Sequence, residues 1–151
     1  MSAEIGPIGS ANIGAASAIF DDRGRVLLVR HTYGRFNWEI PGGVALPAEE
    51  PSVAAARELR EETGLELPQG TLSGVYYEPG HDFGPMLHFV FRHEDRDGLA
   101  PAANPPEIGD VGWFALDALP APISDFTEQR IRDALARGVA YRVIAERTWR
   151  R

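Results

Sequence analysis

The chain reads as an α/β protein, an α/β/α sandwich around a mixed β-sheet. Three observations predict this class. Short apolar runs of strand length recur between Gly, Pro and Asp clusters, two longer stretches carry apolar residues at helical spacing, and strands and helices alternate along the chain. At 151 residues one core is expected, because a chain of this size buries about 68–70% of its unfolded surface without staples. Residues 1–11 contain Gly, Pro and Ser and read as a loose N-terminal segment. Residues 12–151 read as a single domain.

Taken in order, Ile13 to Phe20 and Arg25 to Arg30 are strand-like and flank the turn Asp21-Asp22-Arg23-Gly24. His31 to Trp38 reads as a loop able to line a pocket, and Ile40-Pro41-Gly42-Gly43 as a glycine loop whose carbonyls could face an ion. A helix follows. Glu49 and Glu50 suit the positive end of its dipole, Pro51 suits a first turn that needs no donor, Ala54 to Ala56 favour helix, and Gly64 supplies the stop.

Leu72 to Tyr77 and Met86 to Phe91 are further strands, separated by the turn-rich loop Glu78 to Pro85. Gly98 to Pro106, with three prolines, reads as a long loop. Val111 to Ala115 is a strand, and Asp125 to Arg137 a second amphipathic helix stopped by Gly138.

Charge is most concentrated on the first helix. At about 100° per residue, setting Glu58 at zero places Glu62 near 40° and Glu61 near 300°, one sector roughly 100° wide. Three carboxylates so placed repel one another and call for a cation, so a divalent metal is the first expectation. The alternative is a solvated helix face balanced by Arg57 and Arg60. The same count puts Leu59, Ala56 and Val53 on an apolar face turned away from the acids. Ala54 and Ala55 then keep the flank of the acidic face low enough for a ligand to approach.

Composition narrows the function. A net charge of −7 argues against duplex nucleic acid, which needs a basic surface to displace counterions. The absence of cysteine excludes disulfides, thiolate zinc sites and a thiol nucleophile. No segment reads as a signal peptide or approaches the roughly 18 apolar residues of a membrane helix, so no membrane partner is expected and cytoplasm is the default compartment.

The stretch from Gly43 to Leu65 resembles the signature of the Nudix hydrolases, G-x5-E-x7-R-E-U-x-E-E-x-G-U with U aliphatic. Gly43, Glu49, Arg57, Glu58, Leu59, Glu61, Glu62, Gly64 and Leu65 fill every specified position. The likeness extends over about residues 12 to 136, including Trp38 before Pro-Gly-Gly and the later Trp113-Phe114. Two positions depart from the usual pattern: Leu46 stands where many members carry Glu, and Ala48 where many carry Gly.

The resemblance implies a metal-dependent pyrophosphohydrolase that cleaves a nucleoside diphosphate linked to another moiety, a small-molecule nucleotide substrate. It leans toward ADP-ribose because Pro79 lies near where ADP-ribose-cleaving relatives tend to carry a proline. Nucleoside triphosphates stay open, and a homodimer is compatible with the family. The alternative is a non-catalytic nucleotide-sensing module on the same fold, although such modules usually lose acids from this stretch.

By the same resemblance, Glu58 and Glu62 are metal ligands, Glu61 is a ligand or the base for water, and the Gly42 carbonyl adds an oxygen. This all-oxygen set suits Mg²⁺ or Mn²⁺. Arg57 and Glu49 hold loop and helix together behind the metal, or Arg57 simply pairs with Glu61 at the surface. Glu107 is placed where relatives often carry a further acid near the metals. For the substrate, Arg30 and Arg35 are candidates for phosphate, Trp38 and Phe83 for base stacking, and His81 for phosphate or base. Trp38 reads equally well as a core residue.

Overall fold

The computed structural model describes residues 4–151; Met1 to Ala3, part of the expected loose segment, lie outside the described residues. Residues 4–11 carry no helix or strand. The elements then run β1 (Asn12–Ile19), β2 (Val26–His31), β3 (Trp38–Glu39), β4 (Gly42–Val44), α1 (Pro51–Thr63), β5 (Thr71–Glu78), β6 (Met86–His93), β7 (Ile108–Phe114), β8 (Ile123–Ser124), α2 (Asp125–Leu135), β9 (Ala140–Val143) and β10 (Trp149–Arg150). Five strands form a mixed sheet in the order β4-β1-β6-β5-β9. In it β1 runs parallel to β6 and β5 parallel to β9, whereas β1/β4 and β5/β6 are antiparallel. A second, antiparallel sheet has the order β3-β2-β7, and β8 and β10 pair as a short ribbon.

Strand alternation explains why two helices can sandwich the mixed sheet. On β1, Ala15 joins Phe91, Ala54 and Ala55 beneath α1, while Ala16 and Ala18 join Val90, Tyr76, Phe126, Ile131 and Ala134 beneath α2. Leu27 of the second sheet packs with Ile19, Leu59 and Leu65, and Leu28 belongs to the α2-side core. The apolar interior thus falls into three clusters, one beneath α2, one beneath the alanines of α1 and one around Leu59 and Leu27.

Helix α1 is bounded much as expected: Pro51 is its first residue, Glu50 caps it by accepting from Ser52 N, and Gly64 ends it at φ 75°. Its orientation differs from expectation. The buried side chains are Ala54, Ala55, Leu59, Glu62 and Thr63, while Val53 is 55% exposed. The alanines are the packing face, because small side chains let the helix backbone approach the sheet closely. That rotation carries Glu62 inward instead of leaving all three acids toward the cleft.

Three further differences have local causes. Gly42–Val44, read as a loop, is a strand pairing with Gly14 to Ala16 of β1; a three-residue strand has too little pattern to show. Helix α2 ends at Leu135, because both Arg137 (φ 58°) and Gly138 (φ 89°) take left-handed backbone. The short strands β3, β8, β9 and β10 are defined by pairing with distant segments and carry no periodic signal of their own. The long loop before β7 closes the open end of α1, where Ala102 N, Asn104 Nδ2 and Asn104 N donate to the carbonyls of Thr63, Glu61 and Glu62.

Two substitutions on α1 check which face is buried. Leu59→Ala should lower the unfolding free energy by about 2–5 kcal/mol through the cavity it leaves, and Val53→Ala should change it by less than about 0.5 kcal/mol. Denaturant unfolding distinguishes this from the expected opposite face, on which both would cost. Ala48 adopts φ 61°, a region open to glycine, so Ala48→Gly should stabilise by about 0.5–1 kcal/mol.

Candidate active site

The acids of α1 meet the glycine strand β4. Glu62, 6% exposed, accepts a 2.8 Å hydrogen bond at Oε1 from Gly42 N. The Glu58 carboxyl lies against Gly43, where an added Cβ would come within 2.6 Å of Glu58 Cδ. A methyl at 43 would push the Glu58 carboxyl aside, and at Gly42 an added Cβ would come within 2.5 Å of the Ala15 carbonyl oxygen, so the two glycines let strand and helix interlock.

Arg57 fastens the same pieces from the other side. Its Nε and Nη2 donate to Glu49 Oε2 and Oε1 at 2.8 and 2.9 Å, Nη2 also reaches the Val44 carbonyl at 3.3 Å, and Nη1 donates to Glu58 Oε1 and Glu61 Oε2, both at 3.0 Å. Both expectations for Arg57 are present in this geometry, the tie to Glu49 and the i,i+4 pair with Glu61. The bond from Arg57, helped by Leu46 N, holds the Glu49 carboxyl down at about 2. Glu61 is the most exposed of the acids, with 54% of its side chain open.

Electrostatics single out Glu62. Burial raises its pKa to about 8, against the opposing Gly42 N–H, and Glu58, Glu39 and Glu107 add to the rise. Burial also raises Glu58, with Arg57 opposing and Glu61 and Glu107 adding. Glu107 is exposed on the segment before β7, yet its charge reaches both acids. Among the described residues no three carboxylate or imidazole groups converge as they stand: Arg57 holds Glu58 and Glu61, and Gly42 N holds Glu62. The chemistry of the set nonetheless fits a hard divalent cation: oxygen donors only, charged at a cost that a cation would relieve.

Beside the glycine strand lies a cavity of about 180 Å³ lined by Gly42, Gly43, His31, Tyr33, Glu39, His81, His88, Arg130 and Arg147, among others. Of the expected substrate residues it includes His81. Phe83 is 67% exposed, its ring 5.1 Å from that of His81. Trp38 is buried in the core, edge-on to Phe114 at 4.9 Å. Arg30 donates to the Phe36 carbonyl and lies 6.0 Å from the Trp38 ring, and Arg35 stacks on Trp149 at 4.7 Å. Arg30, Arg35 and Trp38 are therefore not among the cavity's lining residues, because local packing holds them elsewhere.

The cavity's own cations were missed from sequence. Arg130, 5% exposed, donates from Nη2 to Glu39 Oε1 at 2.6 Å and lies 4.0 Å over the Phe126 ring. Arg147 grips Glu78 through Nε and Nη2, both at 2.8 Å, and lies 4.8 Å over the same ring. His88 Nε2 donates to Glu78 Oε1 at 2.9 Å. Burial alone would raise the Glu78 carboxyl, but the bonds from His88 and Arg147 bring it to about 2. Arg130 follows Phe126 by four residues, so helical spacing placed it on the core face of α2; Arg147 carries no such signal.

Metal-free protein should show the burial of Glu62 directly. Its ordinary carboxyl value is 4.5 and its folded value about 8, so between these the folded state holds a proton that the unfolded state has lost. The resulting stability is fully present below the lower value and disappears as pH rises through the upper one, by on the order of 2–4 kcal/mol. Denaturant unfolding in EDTA from pH 5 to 9 should show this decline, and Glu62→Gln should flatten it. Equal slopes for the two proteins would contradict the assignment.

Residues 11–135 match the NUDIX domain model. The chain is 47% identical over 135 residues to an ADP-ribose pyrophosphatase of Mycobacterium tuberculosis, covering 85% of this chain and 62% of that protein. It is 29% identical over 124 residues to a MutT-like protein of Streptomyces ambofaciens, 82% of this chain and 77% of that protein. It spans less than two thirds of the M. tuberculosis protein's length. Among solved structures, a MutT NUDIX hydrolase from Burkholderia pseudomallei superposes with TM-score 0.71 at 29% identity, over 83% of this chain and 98% of that one. With the interlocked acids and glycines of α1 and β4, these matches place the chain in the Nudix family of hydrolases, enzymes that act on phosphoanhydride bonds and generally use divalent metal ions.

Proposed function

We propose that the chain hydrolyses the diphosphate of a nucleoside diphosphate linked to a sugar, with ADP-ribose the leading substrate and Mg²⁺ or Mn²⁺ the ion. The observation that carries this reading is the buried Glu62, bonded to Gly42 N, with Glu58 against Gly43, two glycines that line the adjoining cavity. The substrate lean is supported by the 47% identical ADP-ribose pyrophosphatase and by Pro79, in the loop that brings His81 to the cavity. Retention of every acid in the signature favours an enzyme over a nucleotide-sensing module.

Glu58, Glu62, Glu61 and the Gly42 carbonyl would hold the ion, which neutralises diphosphate oxygens and polarises a water for attack on phosphorus. The chain's own residues do the rest. Arg57 and Glu49 orient helix and loop, so that Glu58 and Glu61 stay on the cavity side. Glu61 Oε2 is committed to Arg57, leaving Oε1 to take the proton of the attacking water. The new P–O bond replaces the anhydride P–O bond, and the second phosphate leaves as a sugar phosphate while the nucleoside monophosphate forms. Glu107 adds negative charge beside these acids, and Phe83 and His81 border the group beyond the diphosphate.

Release of products from ADP-ribose, dinucleoside polyphosphates, nucleotide sugars and nucleoside triphosphates, with Mg²⁺ and with EDTA, tests the reading. ADP-ribose should be cleaved fastest, and EDTA should abolish turnover. Glu61→Gln and Glu62→Gln should each lower kcat by about 100-fold or more, with the fold retained by circular dichroism. Gly43→Ala should have a similar effect, because its methyl displaces Glu58. Full activity in all three variants would end the site assignment, and a nucleoside triphosphate preferred over ADP-ribose would end the substrate lean.

A further inference from the structure

The C-terminal residues form a strap that leaves the sheet after β9 and returns across α2. Thr148 N donates to Asp125 Oδ1 at 2.9 Å, Trp149 and Arg150 pair with Ser124 and Ile123, and Arg150 Nη2 meets Glu128 Oε1 at 2.6 Å. These bonds hold the strap after Arg147, and just before it Ile144 N donates to the Tyr77 carbonyl at 2.7 Å. Arg147 is thus anchored from both sides. It lies outside the stretch that matches the family model, residues 11–135.

Arg147 and Arg130 both line the cavity, and both guanidinium groups lie over the Phe126 ring, at 4.8 and 4.0 Å. Each guanidinium commits only one side to a carboxylate, Arg147 through Nε and Nη2 to Glu78 and Arg130 through Nη2 to Glu39. Among the described residues Nη1 of both has no hydrogen-bond partner, and Arg130 Nε is buried without one. Glu78 and Glu39 thus hold the two forks in fixed orientations and leave donors over. Gly14 widens the space in front of them, since a Cβ there would sit 2.8 Å from His88 Nδ1. Donors left over on two rigidly held guanidinium forks in one cavity suit the oxygens of a phosphate.

We propose that Arg147, delivered by the C-terminal strap, forms with Arg130 a subsite for a sugar-phosphate group, the phosphate of the substrate farther from the α1 acids. This rests on the diphosphate-hydrolase reading above. The strap is therefore a specificity element: it delivers the guanidinium that meets the phosphate farther from the α1 acids. Glu78 and His88 act as positioning residues that keep the Arg147 fork aimed.

The test uses the full chain in EDTA, so that no metal-dependent step enters. Ribose 5-phosphate is titrated into it and followed by calorimetry and by the imidazole resonances of His88. Ribose 5-phosphate should bind and shift His88, and ribose should do neither. Arg147→Gln should weaken binding by about tenfold or more, whereas Arg132→Gln, an exposed arginine on the same helix as Arg130, should leave it unchanged. With metal and ADP-ribose, Arg147→Gln should raise KM and leave kcat within about twofold, as expected for lost uniform binding.

Unaltered affinity in Arg147→Gln, equal binding of ribose, or an unmoved His88 resonance in the parent protein would each overturn the proposal; the last needs no variant to fold. Binding of ribose 5-phosphate without any hydrolysis in the substrate panel would instead overturn the enzyme reading alone.

Discussion

The close approach of α1 to the mixed sheet is the constraint from which the site follows. Ala54 and Ala55 lie against Ala15 and Phe91, and side chains of that size let the helix backbone come near the strands. Glu62 lies on the same buried side of the helix, so it is pressed to Gly42 N, and Glu58 is pressed against Gly43. A side chain at 43 would displace the carboxyl, and one at 42 would meet the backbone of β1 at Ala15. The desolvation of Glu62 is offset because the alanines and Leu59 are buried in the same movement.

Charge is then managed by two separate devices. On the helix side, Arg57 gathers Glu49, Glu58 and Glu61 and bonds the Val44 carbonyl, leaving Glu62 as the acid whose ionisation burial opposes most. A group in that state binds a cation with most to gain from it. On the cavity side, the buried guanidinium of Arg130 is tied to Glu39 and the partly exposed one of Arg147 to Glu78. In the function proposed for the site, the first device would present oxygen to a metal ion and the second N–H donors to substrate. A diphosphate bridging them would meet positive charge at both ends, which suits a protein whose net charge is −7.

Much of this was legible in the amino-acid sequence where the cause is local. The bounds of α1 follow from Pro51 and Gly64, and its acids share a sector because helix geometry puts them there. The strands β1, β2, β5, β6 and β7 emerged as short apolar runs between turn residues. Strands β3, β4, β8, β9 and β10 are two to four residues each. They exist through pairing with distant partners, so nothing in their own residues announces them. Ala48 shows how an unfavourable local choice persists: its φ of 61° is imposed by the turn that carries Glu49 back to Arg57.

By itself the sequence determined the family and the shared sector of the α1 acids, because the signature lies within 23 consecutive residues governed by one helix and the glycine before it. Only the tertiary structure decided which face of α1 is buried, since Val53 and Ala54 differ by a rotation that depends on what the helix packs against. It also decided which arginines face the cavity. Arg30 and Arg35 looked suited to phosphate, yet Phe36 O and Trp149 hold them away from it. Arg130 and Arg147 reach it through Glu39 and Glu78, partners 91 and 69 residues distant along the chain. Contacts of that separation arise from the folded arrangement of sheet, helix and strap, and no local pattern encodes them.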